Sequence, residues 1–317
     1  MNNINTPLLS ICIPTYNRMS YLERLVNCLA KQIAVINKEK NIVELIIIDN
    51  ASEDNTEELC DALVKKFSSW LSYYRHEKNI GMDGNFESSF NLAKGNYFWM
   101  IGDDDLVCND GVGVVVNFLN ENNNISLVNL KSVFINDENK RKQLIERPID
   151  AISNYKRYMT AYDFIDDVGI LITFISGIVV NKKNVSITPE LSEKCKGDNL
   201  YQLSWIFSAL KEQCGYFISV KDPIVIAEPD NSGGYNLFKV FCIGFIRIAN
   251  CFFTDRKLII KLKRASLYFI IPFIFKPKLA RNFITNDGLK SLDVSYSELL
   301  EYKYMIRHIL KLKLVRS

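Results

Sequence analysis

Apolar and polar positions alternate in blocks along the first 105 residues. Leu8–Ile13 (LLSICI) is an almost unbroken apolar run and predicts a buried strand. Leu22, Leu25, Val26 and Leu29 then recur at helical spacing. Val43–Asp49 (VELIIID) predicts a second strand, ending on a carboxylate. Asp54 sits where an N-cap belongs, with Glu57 three residues on as its capping-box partner. The helix after it places Cys60, Leu63, Val64 and Phe67 on one face. Trp70–His76 (WLSYYRH) reads as a third strand. Asp83 is expected to cap a short helix that turns Phe86, Phe90 and Ala93 inward and stops at Gly95. Tyr97–Leu106 (YFWMIGDDDL) supplies a fourth strand, followed by a turn that crowds three carboxylates.

Strands that are apolar throughout and alternate with helices predict an α/β fold with a mostly parallel sheet covered on both faces. Ligands of such sheets bind beyond the carboxyl ends of the strands. Here those ends carry Pro14, Thr15, Tyr16 and Asn17, then Asp49 and Asn50, then Arg75 to Gly81, then Asp103, Asp104 and Asp105. The middle of the chain is more mixed. Ile125–Leu130 and Ile170–Val180 read as strands, and Asp198–Leu210 as a helix. After Gly233 and Gly234 long apolar and basic segments take over.

Composition adds two limits. Of 317 residues, 48% are hydrophobic and 24% charged, which suits a folded chain with a sizeable core. The eight cysteines form no CxxC pair and no secretory leader is expected, so reduced thiols in a cytoplasmic protein are the reading. His76 and His308 are the only histidines, which argues against a histidine-rich zinc site. The net charge of +3 conceals an asymmetry. Residues 236–317 hold 16 Lys and Arg against five Asp and Glu, leaving an acidic body and a basic tail.

The turn after the first strand has no GxGxxG, and no GxxxxGK[ST] loop occurs, so a glycine-rich phosphate nest is absent. A divalent cation is the other common way to hold a diphosphate. Mg²⁺ or Mn²⁺ takes one or two protein carboxylates and completes its shell with phosphate and water. Gly102 followed by Asp103–Asp105 suits that role, against the blander reading of a solvated acidic turn. Asp54 is better explained as a cap than as a ligand. Asn79 and Gly81 could simply form a turn.

At this point the residues resemble a family. Pro14–Arg18 (PTYNR), Ile46–Thr56 (IIIDNASEDNT), Asn79–Asn85 (NIGMDGN) and the GDDD run look like the family 2 glycosyltransferases of the GT-A fold. The later motifs look like the subset, including abequosyltransferase-like members, that acts on bacterial surface polysaccharides. The resemblance implies a Rossmann-like fold with a helical basic extension. Residues 1–110 would form the nucleotide-sugar half, 111–235 the acceptor half and 236–317 the tail. It also implies that Pro14, Thr15, Tyr16 and Asn17 line the nucleoside pocket and that Asp49 bonds the base or ribose. Asn79, Gly81 and Asn85 would lie beside the donor. Asp103 and Asp105 would serve the metal, and Asp104 is the variable middle residue. Asp198, after Gly197, is the nearest match to the family's catalytic base, although an acidic residue is expected at 197. Glu193, Asp166 and Asp167 are the substitutes. Inversion, and an acceptor that is a saccharide or lipid-linked saccharide of O-antigen or capsule, are implied likewise.

The apolar stretches Val240–Ile246 and Ala265–Phe275 are too short to span a bilayer, which needs roughly 17–25 residues. Basic residues flank both, so either contact with an anionic inner membrane surface or packing on the body accounts for them. No motif points to nucleic acid. Two other functions stay open: transfer of a sugar directly to a polyprenyl phosphate, and a catalytically silent nucleotide-sugar-binding protein.

Overall fold

The computed structural model describes residues 6–147, 149–228, 236–275 and 286–309. Its first half runs β1 (Leu9–Thr15), α1 (Met19–Ile36), β2 (Val43–Asp49), α2 (Thr56–Phe67), β3 (Leu71–Arg75), α3 (Gly81–Leu92) and β4 (Tyr97–Met100). β5 (Leu106–Val107), α4 (Gly111–Glu121), β6 (Ile125–Phe134), α5 (Glu138–Glu146), β7 (Tyr155–Tyr158) and α6 (Ala161–Val168) follow. Then come β8 (Ile178–Asn181), α7 (Pro189–Cys195), α8 (Gln202–Glu212) and β9 (Tyr216–Ala227). The tail holds a π-helical segment, Phe238–Gly244, that runs into α9 (Phe245–Phe252), then α10 (Arg256–Phe275) and α11 (Asn286–Tyr296).

One sheet organises these elements, in the order β3-β2-β1-β4-β8-β6-β9-β5, with β7 on β9. The first four strands pair in parallel. β8 enters antiparallel between β4 and β6, and the far edge is antiparallel too, so the sheet is mixed. Register sets the site. Thr15 lies opposite Asp49, and Asp49 opposite Arg75. Cys12 lies opposite Met100, so the chain leaving β4 reaches Asp103 at the level of Thr15. The carboxyl ends of four adjacent strands therefore bring Arg75, Asp49, Thr15 and Asp103 into one row.

Consecutive residues of β4 point to opposite faces. Trp99 joins one core with Leu22, Leu25 and Val26 of α1 and Val115 of α4. Phe98 joins the other with Phe86 of α3, Trp205 and Phe207 of α8 and Phe245 of α9. Gly95, just before β4, has no room for a side chain: a Cβ there would stand 2.6 Å from the Ser10 backbone nitrogen.

Four local expectations change. The apolar run 170–180 is a strand only over Ile178–Asn181. Its first part forms two 3₁₀ turns, Gly169–Thr173 and Ile175–Gly177, after Gly169 closes α6 at φ +59°. The helix expected over 198–210 begins at Gln202, leaving Asp198 in the loop before it. Asp83 does not cap α3. It lies inside the first turn and accepts backbone N–H groups from Gly197, Asn199 and Tyr201. Asp54 is not the N-cap of α2, a position Asn55 holds with no side-chain cap bond; Asp54 stands one residue earlier, where it accepts the Thr56 N–H and the Met19 N–H of α1. Glu57 closes no box and pairs with Arg75 instead.

The tail packs on the body over its described residues. Phe241, Phe245, Leu262, Leu267, Ile270 and Tyr296 are buried in the core that contains Phe86 and Phe98. Several of its cations are paired: Lys261 with Asp166, Lys263 with Glu298 and Arg264 with Glu301. Among the described residues no helix is long and apolar enough to cross a membrane.

Candidate active site

The loops after β1 and β2 brace each other. Asn17, at φ +54°, donates its N–H to Ser52 Oγ (2.9 Å) and accepts the Glu53 N–H on Oδ1 (2.7 Å). Asp49 is fully buried. Its Oδ1 accepts the N–H and hydroxyl of Ser52 (2.8 and 2.5 Å), and its Oδ2 accepts the Tyr73 hydroxyl (2.8 Å). Arg75 Nε lies 3.4 Å from the same Oδ2 and is the loosest of these partners. Burial and the adjoining Asp49 carboxylate push the Tyr73 hydroxyl upward, so it stays a donor.

Asn50 organises the next loop. Its Oδ1 accepts the Ile80 N–H, and its Nδ2 donates to Asn79 Oδ1 (both 2.9 Å) and to the Gly81 carbonyl (3.3 Å). Gly81, at φ +79°, is the left-handed position that starts α3. Asn85 is buried and donates Nδ2 to the Ile48 carbonyl (3.2 Å). Pro14 is buried in β1, whereas Tyr16 is exposed at the edge.

The acidic turn meets this row from the other side. Asp103 Oδ2 accepts the Thr15 hydroxyl (2.8 Å), and Oδ1 accepts Arg18 (3.1 Å). Arg18 also holds Asp104 Oδ2 (3.2 Å). Asp105 Oδ2 accepts the Ser176 hydroxyl (2.5 Å) and its Oδ1 the Glu228 N–H (3.0 Å). Ser176 Oγ in turn accepts the Gly102 N–H (2.9 Å). Arg24 bonds the Asp104 carbonyl (2.6 Å) and, with Arg141, the Glu228 carboxylate.

Both inner carboxyls are strained by desolvation. Burial pushes Asp103 up to about 6, while Arg18 and Thr15 pull the other way. Burial pushes Asp105 up to about 7, and the Asp104 charge adds to it. A buried acid whose close charged neighbours are acids favours a cation beside it. Gly102 leaves the room: a Cβ there would stand 3.0 Å from Asp104 Oδ1 and 3.3 Å from Asp105 Oδ2. Among the described residues no group of three or more His, Cys, Asp or Glu forms a self-sufficient metal site. The donor set thus fits an ion that takes one or two carboxylates and completes its shell from phosphate and water.

Asp198 belongs to a different part of the edge. Its loop rests on the first turn of α3 through Asp83, which is four residues from Asn79 and so links it to the Asn50 turn. Arg247 donates Nε and Nη2 to Asp198 Oδ2 (2.9 and 2.6 Å). No hydrogen bond reaches Asp198 Oδ1 among the described residues. The substitutes are engaged in ion pairs away from this loop or at its margin: Asp166 with Lys261, Asp167 with Lys221 and Lys156, Glu193 with Lys196.

Sequence reasoning did not single out Arg18, Ser52, Tyr73, Arg75, Asp83, Glu228 or Arg247 as site residues. Arg18 and Ser52 lie inside the quoted motifs and were within reach. The sequence left Ser176 and Gly177 open between a strand irregularity and part of the acceptor wall, and Ser176 proves to be the hydroxyl on Asp105. Glu228 and Arg247 come from segments more than a hundred and about fifty residues away from their partners, and no local pattern marks them.

Comparison with known proteins agrees with this geometry. The family described as glycosyl transferase family 2 matches residues 10–184. Abequosyltransferase RfbV of Salmonella typhimurium is 26% identical over 320 residues, covering 96% of this chain and 93% of its own. The structure of S. aureus TarS 1–349 superposes with a TM-score of 0.62 at 16% identity, covering 96% of this chain and 87% of that one. Mannosyltransferase PcManGT from Pyrobaculum calidifontis, solved with GDP-Man and Mn²⁺, superposes at 0.54 with 13% identity, covering 98% and 81%. The chain belongs to glycosyl transferase family 2 and is a glycosyltransferase of the GT-A fold.

Proposed function

We propose that this enzyme moves a single sugar from a nucleotide-diphosphate donor to a saccharide acceptor, with inversion, and that Mn²⁺ or Mg²⁺ holds the diphosphate. The observation that carries the reading is the row of Arg75, Asp49, Thr15 and Asp103 along four strand ends, with buried Asp105 beside it. Pro14, Thr15, Tyr16 and Asn17 line the nucleoside end. A base N–H or ribose hydroxyl reaches Asp49 by displacing Arg75, its loosest partner. Asn79, Gly81 and Asn85 shape the wall beside the donor.

Asp105, with Asp103 next to it, would hold the ion. When bound, such an ion offsets the negative charge that grows on the departing diphosphate. Ser176 and the Glu228 N–H aim the Asp105 carboxylate, and Arg18 and Thr15 aim Asp103. Asp198 takes the proton from the acceptor hydroxyl as that oxygen attacks the anomeric carbon from the face opposite the diphosphate. Its Oδ2 is committed to Arg247, so Oδ1 receives the proton.

The likeness to abequosyltransferase RfbV over nearly the whole chain supports an acceptor from bacterial O-antigen or capsule synthesis, lipid-linked at the inner membrane surface. The basic tail and the exposed Leu300, Tyr304 and Met305 beside Lys303 support contact with an anionic lipid face. Thermal unfolding with UDP, GDP, CDP and dTDP, each with and without Mn²⁺, tests the donor reading. A ligand at 100 times its Kd stabilises the fold by about 2.7 kcal/mol. One nucleotide should stabilise strongly and only with metal. No shift with any of them would overturn the reading.

A further inference from the structure

We infer that Arg247, supplied by the helical tail, is the positioning residue for the Asp198 carboxylate, and that α9 is therefore part of the catalytic unit. The inference rests on the reading of Asp198 as general base and adds what holds it.

The guanidinium grips both the acid and the chain that carries it. Nε and Nη2 bond Asp198 Oδ2 at 2.9 and 2.6 Å. Nη2 also bonds the Lys196 carbonyl at 3.1 Å, and Nη1 bonds the Lys194 carbonyl. Arg247 thus spans residues 194–198, and the rigid fork of its donors fixes their relative direction. Lysine, with a single ammonium, could not reproduce this set.

A second contact on the same helix carries the argument independently of charge. Gly244 lies three residues before Arg247, on the same side of the helix. A Cβ at Gly244 would stand 2.5 Å from the Asp198 Cβ, 2.6 Å from its Cγ and 2.8 Å from its Oδ2. The helix backbone closes directly onto the acid, and only glycine allows it.

From the other side, Asp83 of α3 accepts the N–H groups of Gly197, Asn199 and Tyr201 at 2.7, 3.2 and 3.1 Å. Gly197 and Asn199 hold φ +97° and +57°, left-handed turns on either side of Asp198 that these bonds fix in place. Asp198 is buried between the two clamps, with one oxygen filled and the other left to act. The charged groups around it are Arg247 on α9, Asp83 and Glu87 on α3, and Lys194, Lys196 and Glu193 on its own segment.

The test compares full-length Arg247→Met, Arg247→Lys, Gly244→Ala and Asp198→Asn. It measures nucleoside diphosphate release from UDP-GlcNAc, UDP-glucose, GDP-mannose, and CDP- and dTDP-hexoses across pH, with Mn²⁺. Asp198→Asn decides the base reading: retained turnover overturns that reading and this inference together. With Asp198→Asn inactive, Arg247→Met should lower kcat by about 10- to 100-fold, the scale of a misplaced catalytic group, with donor KM within about twofold. Arg247→Lys should restore only part of kcat. Gly244→Ala should lower kcat with every charge intact. The double variant Asp198→Asn/Arg247→Met should be no worse than Asp198→Asn alone. Full kcat in Arg247→Met would overturn the inference. So would losses in Arg247→Met and Gly244→Ala that are confined to melting temperature.

Discussion

Asp49 accepts three protein hydrogen bonds and pairs with the Arg75 guanidinium, so its buried charge is well compensated. Removing one partner of a buried charge costs more than the bond itself. Asp49→Ala should therefore lower stability by about 1–3 kcal/mol by denaturant titration and weaken nucleotide binding at least tenfold. Gly102→Ala should act differently. The new methyl crowds Asp104 and Asp105, so Mn²⁺-dependent turnover should fall about tenfold while the melting temperature barely moves. These carboxylates were legible because strand ends can be read from apolar runs that stop on a polar residue. Their partners were not. Ser176 lies 71 residues from Asp105 and Glu228 lies 123 from it, and only the closed sheet makes them neighbours.

The elements followed the apolar pattern closely where strands are buried on both faces, as in β1, β2 and β4. The pattern failed at 170–180, where apolar content without period cannot separate a strand from buried 3₁₀ turns. It also misassigned Asp83, because the helix start offered a local use for a carboxylate whose real partners are about 115 residues away. Through Asp83 the first turn of α3 gathers the loop that carries Asp198. Asp83→Ala leaves three N–H groups unpaired. It should abolish sugar transfer while nucleotide affinity, measured by calorimetry, stays within about threefold.

At the scale of the whole molecule the sequence left the tail open between membrane contact and packing on the body; over its described residues its apolar faces finish the core begun by α3 and α8. Truncation at residue 235 should expose Phe207, which packs on Phe245, Phe252 and Phe253, and the product should bind hydrophobic dyes and lose its cooperative unfolding transition. The body also has an acid-sensitive tie. Burial works to raise Asp167, but Lys221 and Ser219 bond it, and with Lys156 they hold it down at about 2. A depressed carboxyl contributes stability above its unfolded pKa of about 3.9, and that stability is lost as pH falls toward about 2. Asp167→Asn should flatten the stability profile between those values and leave a constant deficit near neutrality.

We propose that the turn after β4 holds a cation which in turn holds a nucleotide. Paramagnetic titration of Mn²⁺, with and without the nucleoside diphosphate that stabilises the fold, measures this directly. Wild type and Asp104→Asn should bind Mn²⁺ weakly alone and at least tenfold tighter with nucleotide, and Asp105→Asn should lose the enhancement. Equal enhancement in Asp105→Asn, or none in wild type, would contradict the account.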